Sequence, residues 1–114
     1  MDLTILFSPV DEELYSKEYS GNSFFKSIKI YSEKMPDYRG AHIALFGICE
    51  DRGTDNNTGC RKGPDEIRKK LYQLKKGTGA YTIVDLGNLN TGIDLDETYV
   101  RISEVCRKIG RAHV

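Results

Sequence analysis

The side chains best suited to chemistry crowd into one stretch, Glu50 to Pro64, which reads EDRGTDNNTGCRKGP. It carries the acids Glu50, Asp51 and Asp55, the amides Asn56 and Asn57, the cations Arg52, Arg61 and Lys62, and the thiol of Cys60. Asp and Asn either brace a loop through side-chain-to-backbone bonds or face a polar ligand. An arginine fork suits bidentate pairing with a carboxylate. Cys60 is expected to be a small filler, because a nucleophilic thiol needs an activating base and none lies nearby. Strand-to-helix connections usually run about two to six residues, so a longer one is either disordered or shaped for a surface task.

The elements around this stretch must position it. AHIALFGI, Ala41 to Ile48, is a nearly continuous apolar run, the pattern of a strand buried on both faces. AYTIVDLGNL, Ala80 to Leu89, predicts a second strand of the same kind. Between them Pro64 opens a helix, with Asp65 and Glu66 in the first turn to meet the positive end of its dipole. Ile67, Leu71 and Leu74 recur on one face of that helix, and Gly77 and Gly79 end it. A further helix is expected from Asp94 or Asp96, burying Ile102, Val105, Cys106 and Ile109. Strand, helix, strand predicts parallel strands with a right-handed crossover. Open parallel sheets bind ligands beyond the carboxyl ends of their strands, which puts the Glu50–Pro64 loop at the active edge. His42 opens the first strand, at the opposite end, and is expected to be structural.

Residues 1 to about 40 read as a polar arm with apolar anchors, and SIKIYSE within it alternates like a short edge strand. The 114 residues carry 17 basic and 17 acidic side chains, so a general attraction for nucleic acid or acidic lipid has no support in the composition. The lysines at 69, 70, 75 and 76 are expected to form a solvated face. No apolar run approaches the twenty or so residues of a membrane span, and three cysteines without a C-x-x-C pair argue against a disulfide framework or structural zinc. Cytoplasmic residence is the expectation. A nucleotide site lacks support: neither G-x-G-x-x-G nor G-x-x-x-x-G-K-[ST] is present, and Asp85 alone is only weakly similar to a ribose-binding acid.

Taken together, ALFGICEDRG, NTGCRKGPDEIRKKLYQL and IVDLGNL resemble the opening βαβ of the ureohydrolases, the family of arginase, agmatinase and formimidoylglutamase. Gly63, Pro64, Ile67 and Arg68 match the family's helix start; Asp85, Leu86 and Gly87 match its strand end, with Asn88 where Asp is more usual. The EDRG opening and the Asn57-to-Gly59 segment look closest to the formimidoylglutamase-like branch, although that branch's longer glycine–arginine insert is absent. The resemblance spans residues 41 to 108 and implies an α/β fold, three αβα layers around a parallel sheet, of which only the first βαβα portion is present. It implies hydrolysis of a guanidino or formimino carbon–nitrogen bond by hydroxide bridging two manganese ions, in a homo-oligomer. It also implies that the long loop lines the substrate rim, with Asp51, Asn57 and Arg61 as the residues expected to do so. Arg61 would meet a substrate carboxylate, whereas Arg68 is expected to make a structural ion pair. Asp85 would either support metal-ligand loops or cap a neighbouring helix.

The metal-binding motifs of such enzymes, GGDH, DAHxD and DxDxxDP, do not occur in these residues. No catalytic or metal-binding residue is therefore assigned, no bound manganese is expected, and the polypeptide alone is expected to be inactive. The last six residues, IGRAHV, would be encoded with a following stop by ATC GGA AGA GCA CAC GTC TGA, which reads like a sequencing adapter. Residues 109 to 114 are accordingly expected to be a non-native tail. The alternative is a self-contained α/β module that binds without catalysis.

Overall fold

The computed structural model describes residues 3–53 and 59–110. Along the chain run β1 (Phe7–Ser8), α1 (Glu12–Tyr15), β2 (Ile28–Ile30), β3 (Ile43–Ile48), α2 (Gly63–Leu71), β4 (Ile83–Leu89) and α3 (Leu95–Gly110), with short 3-10 turns before β1, β2 and α2. β4 is the spine of the sheet. β3 lies parallel to it on one side; β2, parallel, and β1, antiparallel, share its other side. The predicted βαβ unit is thus present, and residues 3–40 supply two strands to the same sheet.

β4 is buried on both faces because helices cover both. Val84 and Leu86 turn toward α3, where they join Val105, Leu3, Leu6 and Phe7 in the main core. Asp85, between them, turns to the opposite face and meets α2 and Tyr72. The alternation then shifts. Leu45 pairs with Asp85 but Gly47 pairs with Asn88, so β4 carries one residue more than β3 across this interval. The extra residue is accommodated at Gly87, whose φ of +84° favours glycine and whose α-carbon faces the carbonyl of Ser8 with no room for a side chain. The bulge returns Leu89 to the main core beside Val84 and Leu86.

Arg68 and Asp85 bind the helix to the spine. The guanidinium donates from Nε to Asp85 Oδ2 and from Nη2 to Oδ1, both at 2.9 Å. It also donates to the Gly87 carbonyl at 2.8 Å, to Asn88 Oδ1 at 2.6 Å and to Asp65 Oδ1 at 3.2 Å. Asp85 further accepts from the Tyr72 hydroxyl at 2.6 Å and from the Gly87 amide at 3.0 Å. Burial pulls the Arg68 guanidinium down, but its bonds to Asp85 and that residue's charge more than offset this and hold it above its ordinary value. Burial first, then the adjacent Asp85 charge, pushes the Tyr72 phenol up, so it stays a donor. Close packing goes with the clamp: a β-carbon on Gly47 would lie 2.5 Å from Pro64 Cβ and would also meet Asn88 Oδ1.

Several apolar expectations are corrected. α2 ends at Leu71 rather than near Gly77, and its buried residue is Arg68, not Ile67, which is 65% exposed; Leu74 is exposed as well. β3 is only partly buried, with Ile43 and Ile48 exposed, because among the described residues no strand pairs with its outer edge. Cys106 is exposed too, whereas Ile102, Val105 and Ile109 do face the core. Pro64, Ile67 and Leu71 instead line, with Leu45, Phe46 and Ile48, an open apolar groove of about 400 Å³ between α2 and β3. Of the residues read as a foreign tail, Ile109 and Gly110 close α3, and 111–114 lie outside the described residues.

Arg68→Ala leaves the Asp85 carboxylate buried without its cation, a change that costs about 3–5 kcal/mol. That is a large part of a stability of roughly 5–15 kcal/mol, and urea denaturation should show a folded baseline lost or sharply shortened. Arg68→Lys should recover little, since an ammonium cannot serve two carboxylate oxygens, an amide oxygen and a carbonyl at once. A wild-type urea midpoint in either variant would show the pair to be dispensable.

Candidate functional site

Two loops meet at the carboxyl end of the sheet. One follows β3, and its described residues are 49–53 and 59–62; the other follows β4 and covers residues 90–94. The parallel pairing of β3 with β4 brings their exits side by side, as the crevice rule requires.

Of the three residues expected to line the rim, the structure brings two together. Asp51 Oδ2 lies 3.8 Å from Arg61 Nε. The Asp51 side chain is largely covered, whereas that of Arg61 is 65% exposed. Asn57 lies outside the described residues. Cys60 Sγ is 3.6 Å from the Glu50 carbonyl, in keeping with a packing role. Burial pushes the neighbouring Cys49 thiol up, with help from Asp65, away from the reactive thiolate form. His42 accepts from the Thr82 amide through Nδ1 at 3.0 Å, and its ring meets Tyr81 edge-on, so it is structural as expected.

The residues that hold the edge together are ones the spacing did not single out. Glu50 and Arg52 form a fork-to-fork pair, Nε to Oε2 at 2.7 Å and Nη2 to Oε1 at 2.6 Å, and Glu50 Oε2 also accepts from the Arg52 amide at 3.1 Å. Arg52 reaches across to the second loop, donating to the Ile93 carbonyl at 2.6 Å and the Gly92 carbonyl at 2.8 Å. Thr98, fully buried in α3, donates its hydroxyl to Glu50 Oε1 at 2.8 Å and accepts from the Gly92 amide at the same distance. Asp94 caps α3, its Oδ1 taking the Glu97 amide at 2.8 Å. The Glu50-x-Arg52 spacing, which lets one carboxylate take both the amide and the guanidinium of the second residue on, is the signal that sequence reading had at hand. Thr98 offered none.

These pairs settle what the acids can do. Among the described residues no three His, Cys, Asp or Glu converge on a point that could hold a metal ion. Glu50 is bonded to Arg52, Asp51 pairs with Arg61, and Asp85 is enclosed by Arg68 and Tyr72. The described residues therefore do not fit a two-manganese centre. Among the described residues Asp85 caps no helix; bonded to Arg68 and Tyr72, it anchors α2.

The bond from Arg52 holds the Glu50 carboxyl at about 2, against an ordinary 4.5; burial opposes the shift, and Thr98 and the Arg52 amide assist it. Because the folded value is depressed, the stabilisation is complete above about pH 4.5 and is lost as pH falls toward 2. Glu50→Gln should therefore melt below wild type near neutral pH, with the gap closing between pH 4.5 and 2.5. A gap that stays constant across that window would show that Glu50 carries no linked proton.

Comparison with known proteins agrees with this architecture. The sequence model of the Arginase family matches residues 41–114. A formimidoylglutamase of Staphylococcus haemolyticus (strain JCSC1435) is 28% identical over 112 residues, covering 91% of this chain and 34% of that protein. The chain thus spans about a third of the length of this curated relative. No solved structure matches the present chain. With the family's opening strand, helix and second strand all in place, the chain belongs to the arginase family.

Proposed function

We propose that the chain is part of a hydrolase that cleaves the carbon–nitrogen bond of a formimino or guanidino compound, with a formimino amino acid as the preferred substrate. The observation that carries this reading is the Asp51–Arg61 pair at the carboxyl edge. At 3.8 Å, with its Arg61 side open to solvent, the pair contributes only about 0–1 kcal/mol, so a ligand can replace Arg61's partner at little cost. A substrate with a carboxylate at one end and a cationic amidine at the other matches the pair in reverse, carboxylate to the Arg61 fork and amidinium to Asp51. The likeness to a formimidoylglutamase supports the same substrate class.

Manganese belongs to this reading as a cofactor of the family-length protein, held by residues other than those described. When bound, the metal pair would supply hydroxide near neutral pH. The described residues have a separate task, which is to bind and orient the substrate's ends. The 114-residue chain alone is accordingly proposed to be without turnover, and the cytoplasm, which keeps thiols reduced, suits the thiols of Cys49, Cys60 and Cys106.

The test is hydrolysis. A family-length protein carrying this segment, supplied with manganese, should release formamide from N-formimino-glutamate in preference to urea from arginine or agmatine. Arg61→Ala should raise KM about 10- to 100-fold, as expected for losing a charge-assisted bond, with a smaller change in kcat. Equal KM values for Arg61→Ala and wild type would remove Arg61 from substrate binding. Release of urea or formamide by the 114 residues alone would overturn the division of labour.

A further inference from the structure

The loop after β4 is held in an unusual way. Four successive carbonyls, Asn90 to Ile93, all accept from arginine: Asn90 and Thr91 from Arg101 Nη1 at 2.8 and 3.1 Å, Gly92 and Ile93 from Arg52 at 2.8 and 2.6 Å. The two arginines differ in origin. Arg101 projects from α3, the helix that this loop leads into, and is held there by Glu97 at 2.8 Å. Arg52 comes from the other loop, some forty residues earlier in the chain, and is held there by Glu50. Arg101 therefore stiffens one loop, whereas Arg52 fastens two together. Thr98 closes the ring, since it touches Glu50 on one side and the Gly92 amide on the other.

We propose that Arg52 is a positioning residue that makes residues 50–52 and the loop after β4 a single rigid body and so fixes the backbone from which Asp51 meets a ligand. Asp51 sits between Glu50 and Arg52, whose side chains lock onto each other and, through Arg52, onto the Gly92 and Ile93 carbonyls. The peptide units on both sides of Asp51 thus have one arrangement, set before any ligand arrives. The arrangement also explains Ile93, 88% exposed yet held at both its carbonyl and, through Glu97 at 3.3 Å, its amide. An apolar side chain is thereby kept standing beside the rim. Preorganisation of this kind lowers the ordering cost of binding without adding a contact. The substrate role rests on the rim reading given above; the rigid coupling of the loops does not.

Amide hydrogen exchange on the 114-residue chain tests the coupling. Arg52→Ala should speed exchange about tenfold or more at residues 50–53 and at Gly92 and Ile93 together, while β4 amides stay as in wild type. Arg101→Ala should loosen the second loop and leave residues 50–53 protected. Arg52→Lys should fall between, because a point charge cannot reach both carbonyls and both Glu50 oxygens. In the family-length protein Arg52→Ala should raise KM with little change in kcat, and Arg52→Lys should restore part of it. Wild-type exchange at Gly92 and Ile93 in Arg52→Ala would overturn the proposal, whatever the kinetics. Loosened loops in Arg52→Ala combined with an unchanged KM in Arg61→Ala would support the coupling and count against the rim reading instead.

Discussion

A carboxylate buried against a strand cannot remain charged without a cation brought to it, and Asp85 has one in Arg68. Most of the fold follows from satisfying that pair. Asp85 must face α2 while its neighbours Val84 and Leu86 face α3, which fixes the register of β4. Arg68 must reach both oxygens of Asp85 along with Asn88 and the Gly87 carbonyl, which fixes the approach of α2. The approach is close enough that β3 tolerates only hydrogen at Gly47, where Pro64 packs. Exchanging both charged groups for apolar ones of similar volume is close to neutral in energy; what the pair supplies is one geometry out of many.

The same pair explains what the sequence could and could not tell. The G-P-x-x-I-R and D-L-G segments were legible as a family pattern, and their physical content is this clamp rather than a reaction centre. Strand and helix order was legible from apolar runs and from Pro64 with its following acids. Periodicity misjudged the helix face, since Ile67 and Leu71 border an open groove while a charged residue takes the buried place. No hydrophobicity pattern identifies a buried arginine whose partner lies in another element. The early residues were harder still: SIKIYSE gave a short strand, but nothing local revealed that Phe7 and Ser8 would pair antiparallel with Leu89 and Asn88.

Among the described residues, Glu50, Asp51 and Asp85 each face an arginine, and the charges of Glu50 and Asp85 are spent on shape rather than on drawing in a cation. The pairs nevertheless differ in kind. Those of Glu50 and Asp85 are short, forked and covered on the acid side; that of Asp51 is long and open to solvent on the cation side. Sequence offered Asp51 and Arg61 as partners for a ligand, and the geometry shows them first as partners for each other. Glu50 and Arg52, to which the sequence assigned no individual role, carry the connection between the two halves of the rim.

The outer margin of β3 has a bearing on how the molecule behaves in company. Ile43 and Ile48 lie uncovered there beside a row of main-chain donors and acceptors with no strand among the described residues to receive them. Such a border is sticky toward any extended chain, including another copy of itself. In a crowded solution the 114 residues would thus be drawn into stacking through this border, and a companion segment laid along it would act as a chaperone as much as a structural neighbour.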